Sequence, residues 1–317
     1  VKQMDYTMGI DIGGTKILFA AVDKNGNILE KDIVPTPTLD SKQIINIIER
    51  YISLYLGKYK IIGIGMGVPG ISDVEKGIAI YAGNVPSLRN LNLVKLFYDK
   101  FKIPVYIDND VRVATLGEKW YGAGRDCETM ICITLGTGIG SGIILKGKLW
   151  RGANYCAGEI GTLKLKDSGL TSNWGITGSL EAISSGPAIG TIYEKIKNNV
   201  PVEGKVNTKI PASIVFEDAK AGNTKALKVI EDAGRYLGIA IAGYVNLINP
   251  QMVIIGGGLA DAGDMIFKPL LESYNKYALC EPKKICKIVR AELGNYAGAI
   301  GAATMVRHYL NKNVFWI

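Results

Sequence analysis

The sequence predicts an α/β protein of two domains, and three observations carry that prediction. Two glycine-rich turns, Asp11-Ile-Gly-Gly-Thr-Lys16 and Leu135-Gly-Thr-Gly-Ile-Gly-Ser-Gly142, each stand between apolar strand-like runs, one in each half of the chain. Behind each turn, short β-type runs mix with segments of helical periodicity. The 317 residues suffice for two separate cores. Glycine lets the backbone approach an anion closely and aim its N–H groups at it. A pair of such turns therefore points to a nucleotide held in a cleft between the two domains.

The first half opens with a hairpin over Tyr6–Val22, a turn at Asp23–Asn27 and a third strand over Ile28–Pro35. Asn25-Gly26 is a strong hairpin signal. Asp40-Ser-Lys-Gln43 reads as a capping box. The helix behind it places Ile44, Ile48, Tyr51, Ile52 and Tyr55 on one face and stops at Gly57. Lys60–Val68 reads as a buried strand ended by Pro69-Gly70. A loop through Asn84 leads to a helix over Leu93–Phe101, and Ile103–Ile107 is a strand running into Asp108-Asn-Asp110 and a helix to Tyr121. The second half restarts with the hairpin around Gly136–Gly142, passes a polar irregular stretch over Lys148–Gly186, and becomes mostly helical. Its longest helix, Thr224–Asn249, carries Leu227, Ile230, Leu237, Ile241, Val245 and Ile248 as an apolar stripe, and Pro250 ends it. Met252–Ile255 and Ile285–Ala291 are strands. The last helix, Ala297–Tyr309, begins Ala-Gly-Ala-Ile-Gly-Ala-Ala, which permits close backbone approach.

Hydrophobic residues at 48% and charged residues at 21% fit a globular chain in water. No run reaches the roughly 18 apolar residues of a membrane span, and no signal pattern opens the sequence. Five cysteines without a CxxC pair read as reduced thiols, so a cytoplasmic location is expected, with no membrane partner. The net charge of +8 reads as a lysine-rich solvated surface. Its densest stretch, Lys283–Arg290, alternates with apolar residues like a half-buried strand rather than a nucleic-acid-binding patch, so no nucleic-acid partner is expected.

Several segments, taken together and in order, resemble the ROK family of sugar kinases over nearly the whole chain. They are Asp11–Lys16, Val68-Pro-Gly70, Asn109-Asp110 followed by Gly117-Glu118, Leu135–Gly142, Gly158-Glu-Ile-Gly161, Leu180-Glu181, Ile255-Gly-Gly-Gly258 and Ala297–Ala302. The resemblance implies the two-domain actin/hexokinase-like (ribonuclease H-like) ATPase fold with an interdomain cleft. It implies a small N-terminal domain over 1–112 joined by the C-terminal helix 298–317, and a larger domain over 113–297. The family also holds transcriptional repressors with an N-terminal helix-turn-helix. The first strand here begins near residue 6, so that layout is not expected.

By itself Asp110, between a strand and a helix, reads as a helix cap. The resemblance makes it the catalytic base, which takes the proton of the accepting hydroxyl. It also implies sugar binding by Asn84, Asn109, Asp110, Glu159 and Glu181, with Gly70 beside them. Amides and carboxylates suit a polyol because they offer acceptors and donors in fixed geometry. ATP would lie on Gly13, Gly14, Thr15, Lys16, Gly136, Thr137, Gly138, Gly256 and Gly257. Asp11 would hold Mg²⁺ through water or else shape its turn. There is no P-loop sequence, and a strand rather than a helix follows Gly136–Gly142, which rules out a dinucleotide fingerprint.

Two departures from the family stand out. Many members carry zinc on one His and three Cys; here Thr162, Ser172, Trp174 and Ser179 occupy those positions, so no zinc is expected and Trp174 is the expected anchor of the loop. Arg112 replaces a small or amide residue. The substrate expected is a hexose, glucose foremost, phosphorylated on its 6-hydroxyl. N-acetylmannosamine or N-acetylglucosamine is the alternative, and a non-catalytic sugar sensor the different class. The resemblance also implies a homodimer or higher homo-oligomer.

Overall fold

A computed structural model describes residues 4–37, 40–83 and 85–310. The chain divides into two compact units, one of Val1–Glu128, Gly142–Ala157 and Ala291–Ile317, the other of Thr129–Ser141 and Gly158–Arg290.

The first unit opens with β1 (Tyr6–Ile12), β2 (Lys16–Val22) and β3 (Ile28–Pro35), followed by α1 (Ser41–Lys58) and β4 (Ile61–Val68). Asp40 caps α1 by accepting the Lys42 N–H, and Ile44, Ile48, Ile52 and Tyr55 form its buried face. Tyr51 flanks that face and stacks on Phe19 at 4.4 Å. A small antiparallel sheet of β5 (Ile71–Asp73), β6 (Ile78–Tyr81) and β7 (Leu91–Asn92) precedes α2 (Leu93–Phe101), β8 (Val105–Asn109) and α3 (Asp110–Tyr121). The main sheet runs β3-β2-β1-β4-β8, with β1, β4 and β8 parallel. Its core gathers Met8, Ile10, Phe19, Ile48, Met66 and Phe97 among others.

In the second unit β9 (Met130–Leu135) leads through the glycine turn into β10 (Ile139–Leu145). The last residues of β10 pair with β11 (Lys148–Trp150) in the first unit's share of the chain. A two-stranded pairing joins β12 (Leu170–Thr171) to β13 (Gly204–Lys205). Around them lie α4 (Leu180–Ser184), α5 (Gly186–Lys197), α6 (Ala212–Lys220) and α7 (Thr224–Ile248). Then come β14 (Met252–Gly256), α8 (Asp264–Tyr277), α9 (Cys280–Ile285) and β15 (Lys287–Arg290). β9, β14 and β15 are parallel neighbours. α7 buries Ile230, Leu237, Ile241 and Val245 against α4, α5, α6 and α8.

Two expectations are corrected here. Leu227 is 43% exposed, outside the buried stripe. At about 100° per residue it lies some 80° round the helix from Leu237, and Ala226, Val229, Ala233 and Gly234 fill the inward face instead. The strand expected over Ile285–Ala291 is confined to Lys287–Arg290, because Lys283, Lys284 and Ile285 close the short helix α9.

α10 (Ala297–Leu310) returns the chain to the first unit and packs on β1, β4 and α3. Its small residues let backbones touch. A Cβ on Gly65 would lie 1.9 Å from the Ala302 carbonyl oxygen, and one on Gly301 1.7 Å from that of Val113. The sole histidine, His308, stacks on Trp120 at 4.1 Å. Among the described residues no helix is long and apolar enough to cross a membrane.

Candidate active site

The site residues fall into a set on each unit. On the first, the corner from β8 to α3 carries Asp108, Asn109 and Asp110 in succession. Asn109 caps α3 with its Oδ1, which accepts the Arg112 N–H at 3.0 Å. Its Nδ2 donates to the Gly70 carbonyl at 2.9 Å and to Asp110 Oδ1 at 2.7 Å. The cap is therefore Asn109. Asp110 is the first helical residue, with Oδ1 accepting the Val111 N–H at 3.0 Å. The helix dipole favours its ionised form there. Gly70 adopts φ +86°, and a Cβ on it would strike the Tyr81 carbonyl oxygen at 2.1 Å, so only glycine fits.

Asp11 ends up beside this corner. β1 pairs β4 at Asp11 and Gly67, and β4 pairs β8 at Gly67 and Asp108. A Cβ on Gly67 would lie 3.2 Å from Asp11 Oδ1 and 3.3 Å from Asp110 Cα. The absent side chain lets Asp11 and the Asp110 backbone come close. Burial pushes the Asp11 carboxyl up to about 8; the charge of Asp110 adds to the rise and Lys16 opposes it. Such a half-buried, mutually repelling carboxyl pair is the environment a cation would relieve. The turn that carries Gly13, Gly14 and Thr15 is closed by the Gly13 N–H donating to the Lys16 carbonyl at 2.9 Å. Thr36 Oγ1 donates to the Gly13 carbonyl at 2.7 Å and steadies it. Asn84 lies outside the described residues.

On the second unit, Gly136 N–H closes its own turn on the Gly138 carbonyl at 3.0 Å. The parallel pairing of β9 with β14 sets Gly256 opposite Thr134. It thus brings Gly256 and Gly257 to the strand ends that carry Gly136, Thr137 and Gly138. Glu181, in the first turn of α4, accepts the Ile139 N–H through Oε2 at 3.2 Å. A Cβ on Gly138 would lie 2.8 Å from that same oxygen. Burial raises the Glu181 pKa, the Ile139 N–H opposes the rise, and the charge of Glu159 adds to it. The two acids are therefore near enough to repel. Glu159 precedes a 3-10 turn, Ile160–Thr162, and follows Gly158, whose carbonyl accepts from Ser141 N and Oγ. Tyr244, with its pKa raised by burial and by Glu159, reaches Ser141 behind them.

The ROK family profile matches residues 7–309. The chain belongs to the ROK family. The glucokinase of Halalkalibacterium halodurans is 35% identical over 97% of this chain and 96% of its own length. A ROK family glucokinase from Streptomyces griseus, solved in complex with glucose and AMPPNP, superposes with a TM-score of 0.83. It is 31% identical, with 96% of this chain and 99% of that chain covered. The xylose repressor of Caldicellulosiruptor bescii is 30% identical over 96% of this chain and 79% of its own length. The fold is accordingly the actin/hexokinase-like α/β fold of this family's glucokinases.

At the family's zinc positions, Thr162 Oγ1 donates to the Glu159 carbonyl at 2.7 Å, and Ser179 caps α4. Hydroxyls and an indole do not fit zinc, and among the described residues no group of three or more His, Cys, Asp or Glu could hold a metal. Trp174, the expected anchor, is 37% exposed. Backbone bonds tie the loop, Ser172 N–H to Ile176 O and Gly178 N–H to Leu170 O, with Thr171 and Thr177 hydroxyls paired at 2.8 Å.

Sequence reasoning named Arg112 and Glu118 but assigned no bracing role to them, to Asp108 or to Arg151. Asp108 is fully buried and accepts from Arg112 Nε at 2.8 Å and from Arg151 Nε and Nη2 at 2.8 and 2.6 Å. Arg112 Nη1 also donates to the Tyr155 carbonyl at 2.6 Å. Glu118, fully buried, accepts the N–H groups of Ala123, Glu292 and Leu293. An acid at the end of an apolar strand and an arginine one helical turn on was the available signal for Asp108 and Arg112. Arg151 sits in an irregular stretch and gave none.

Proposed function

We propose that this ROK-family chain transfers the terminal phosphoryl group of ATP to the 6-hydroxyl of a hexose, glucose foremost, with Asp110 as the base. The chain is an ATP-dependent sugar kinase, as its full-length likeness to glucokinases indicates. The observation that supports the base assignment is the Asp110 carboxylate at the N-terminal end of α3, oriented by Asn109. In the proposed step Asp110 accepts the hydroxyl proton as the sugar oxygen bonds to the terminal phosphorus, and the bond to the bridging oxygen breaks to release ADP. Asn109, Glu159, Glu181 and Asn84, with the backbone at Gly70, would hold the sugar hydroxyls. The turns at Gly13–Lys16, Gly136–Gly138 and Gly256–Gly257 would hold the nucleotide. Asp11 would hold Mg²⁺ through water, and the bound ion would neutralise phosphate charge.

One observation favours a second substrate reading. With the family histidine replaced, the Thr162 hydroxyl turns back to Glu159 O rather than outward. A threonine shorter than the family histidine would leave room near Glu159 for a larger substituent, as in N-acetylmannosamine or N-acetylglucosamine. A coupled ADP-release assay with a panel of hexoses and N-acetylhexosamines tests both. Turnover on glucose above the acetylated sugars supports the first, and the reverse order the second. Sugar binding without ADP release on any member would replace the kinase reading with a sensor. Family likeness also supports a homodimer or larger homo-oligomer in the cytoplasm, which light scattering on the purified chain checks for assembly.

A further inference from the structure

A cavity lies wholly within the first unit. It measures about 580 Å³, and Tyr106, Trp150, Tyr155, Tyr309, Val94 and Arg151 are among its walls. Tyr106 and Tyr309 stack face to face at 4.4 Å. Glu75 belongs to its exposed rim, where Tyr155 engages it. Of the charged residues that line it, only Arg151 is buried.

Arg151 is in an unusual electrical state. Arg112 and Arg151 share the single carboxylate of Asp108, and all three side chains are at least nine-tenths buried. Two guanidiniums against one carboxylate leave one positive charge without a counter-ion in a dry setting, which is costly. The shortage shows at one atom: Arg151 Nη1 is buried and has no hydrogen-bond partner. Its Nε and Nη2 are both held by Asp108 Oδ2. A guanidinium with a vacant donor takes an anionic oxygen best.

The cavity is far larger than a bare oxyanion needs and falls in the size range of small-molecule sites. Its tyrosine and tryptophan faces suit the apolar face of a ring. We propose that this cavity binds a ring-bearing anion, a sugar phosphate, with its phosphate completing the charge balance at Arg151 and its ring against the tyrosine walls. The choice of a sugar phosphate as ligand rests on the kinase reading; the requirement for an anion rests on the Arg112–Asp108–Arg151 cluster alone. Asp108 Oδ1 also accepts the Asn109 N–H at 2.7 Å, so hydrogen bonds run from the ligand through Arg151 and Asp108 to the residue that orients Asp110.

Titration calorimetry with glucose 6-phosphate, on the full chain already saturated with glucose and a non-hydrolysable ATP analogue, tests this. Val94→Phe fills the cavity and leaves the arginine cluster untouched. Trp150→Ala removes a wall residue that is 52% exposed and so is safe for folding. The expected result is one saturable site in the wild-type chain, weakened at least tenfold in both variants, that inorganic phosphate at equal concentration does not occupy. Wild-type affinity in the folded variants overturns the proposal, as does inorganic phosphate displacing the sugar phosphate. Should Val94→Phe fail to fold, Trp150→Ala decides. Hexose-dependent ADP release is measured on the same preparations. A wild-type chain that turns sugar over but shows no such site sinks this inference alone, and a wild-type chain that binds the ligand without turning over any sugar sinks the kinase reading alone.

Discussion

Two side chains make the chemistry of single residues testable. Asp110→Asn keeps the size and the Asn109 contact but removes the proton acceptor. Turnover should fall by roughly 10²- to 10⁴-fold while glucose still raises the thermal midpoint; turnover within a few-fold of wild type would reject the base assignment. His308 reports on pH. Burial lowers its pKa beneath the ordinary histidine value of about 6.5, so the folded chain holds it neutral while the unfolded chain takes up a proton as pH falls. Stability then declines as pH drops below about 6.5. His308→Phe keeps a ring against Trp120 and loses that term. Half-buried acids such as Asp11 and Glu181, whose raised pKa values bend stability the opposite way, are common to both proteins and cancel in the difference. Denaturant unfolding at pH 7.5 and 5.5 should therefore show a smaller acid-side loss for His308→Phe, and an equal loss would refute neutral burial. Sequence displayed Asp110 as a carboxylate at a strand–helix boundary. It did not display that Asn109 takes the capping role, because both residue types cap well and only the backbone geometry chooses.

At the level of elements, the run of small residues that opens α10 was legible as a surface for close approach, and it is where β1, β4 and α3 meet that helix. The reason is steric: glycine on either side removes the Cβ that would hold backbones apart. Gly65→Ala should cost about 3 kcal/mol by overpacking, since its Cβ would lie 1.9 Å from a carbonyl oxygen. Gly57→Ala in α1 has nothing within 4 Å and should be neutral or stabilise by up to about 1 kcal/mol. Urea midpoints of the two variants check this, and equal effects would deny that α10 packs as described. What was illegible has equally physical causes. Leu227 fits an apolar repeat, yet alanines and glycines at its neighbours let α8 sit closer on another face. Lys283–Ile285 alternates like a strand, yet Glu281-Pro282 after Leu279 suits the first turn of a helix. The brace at Asp108 depends on Arg151, 43 residues on, a separation at which local pattern carries no information.

For the molecule as a whole, the repeated glycine hairpin announced two halves, and each compact unit has an apolar core of its own. One core runs from Met8 to Ile107 in the first unit, the other from Ile131 to Cys286 in the second, with no residue in common. The first unit has three chain segments and the second two, so the backbone passes between them four times. Covalent crossings raise effective concentration but do not merge cores, and cooperativity follows burial. Without ligands, heating should give a calorimetric enthalpy larger than the van't Hoff enthalpy, resolvable into two transitions. Phe97→Ala and Leu237→Ala remove buried side chains from the first and second core respectively. Each should cost about 3 to 5 kcal/mol and lower one transition while leaving the other within a degree or two. A single transition that both variants shift by the same amount would mean that the units unfold as one body.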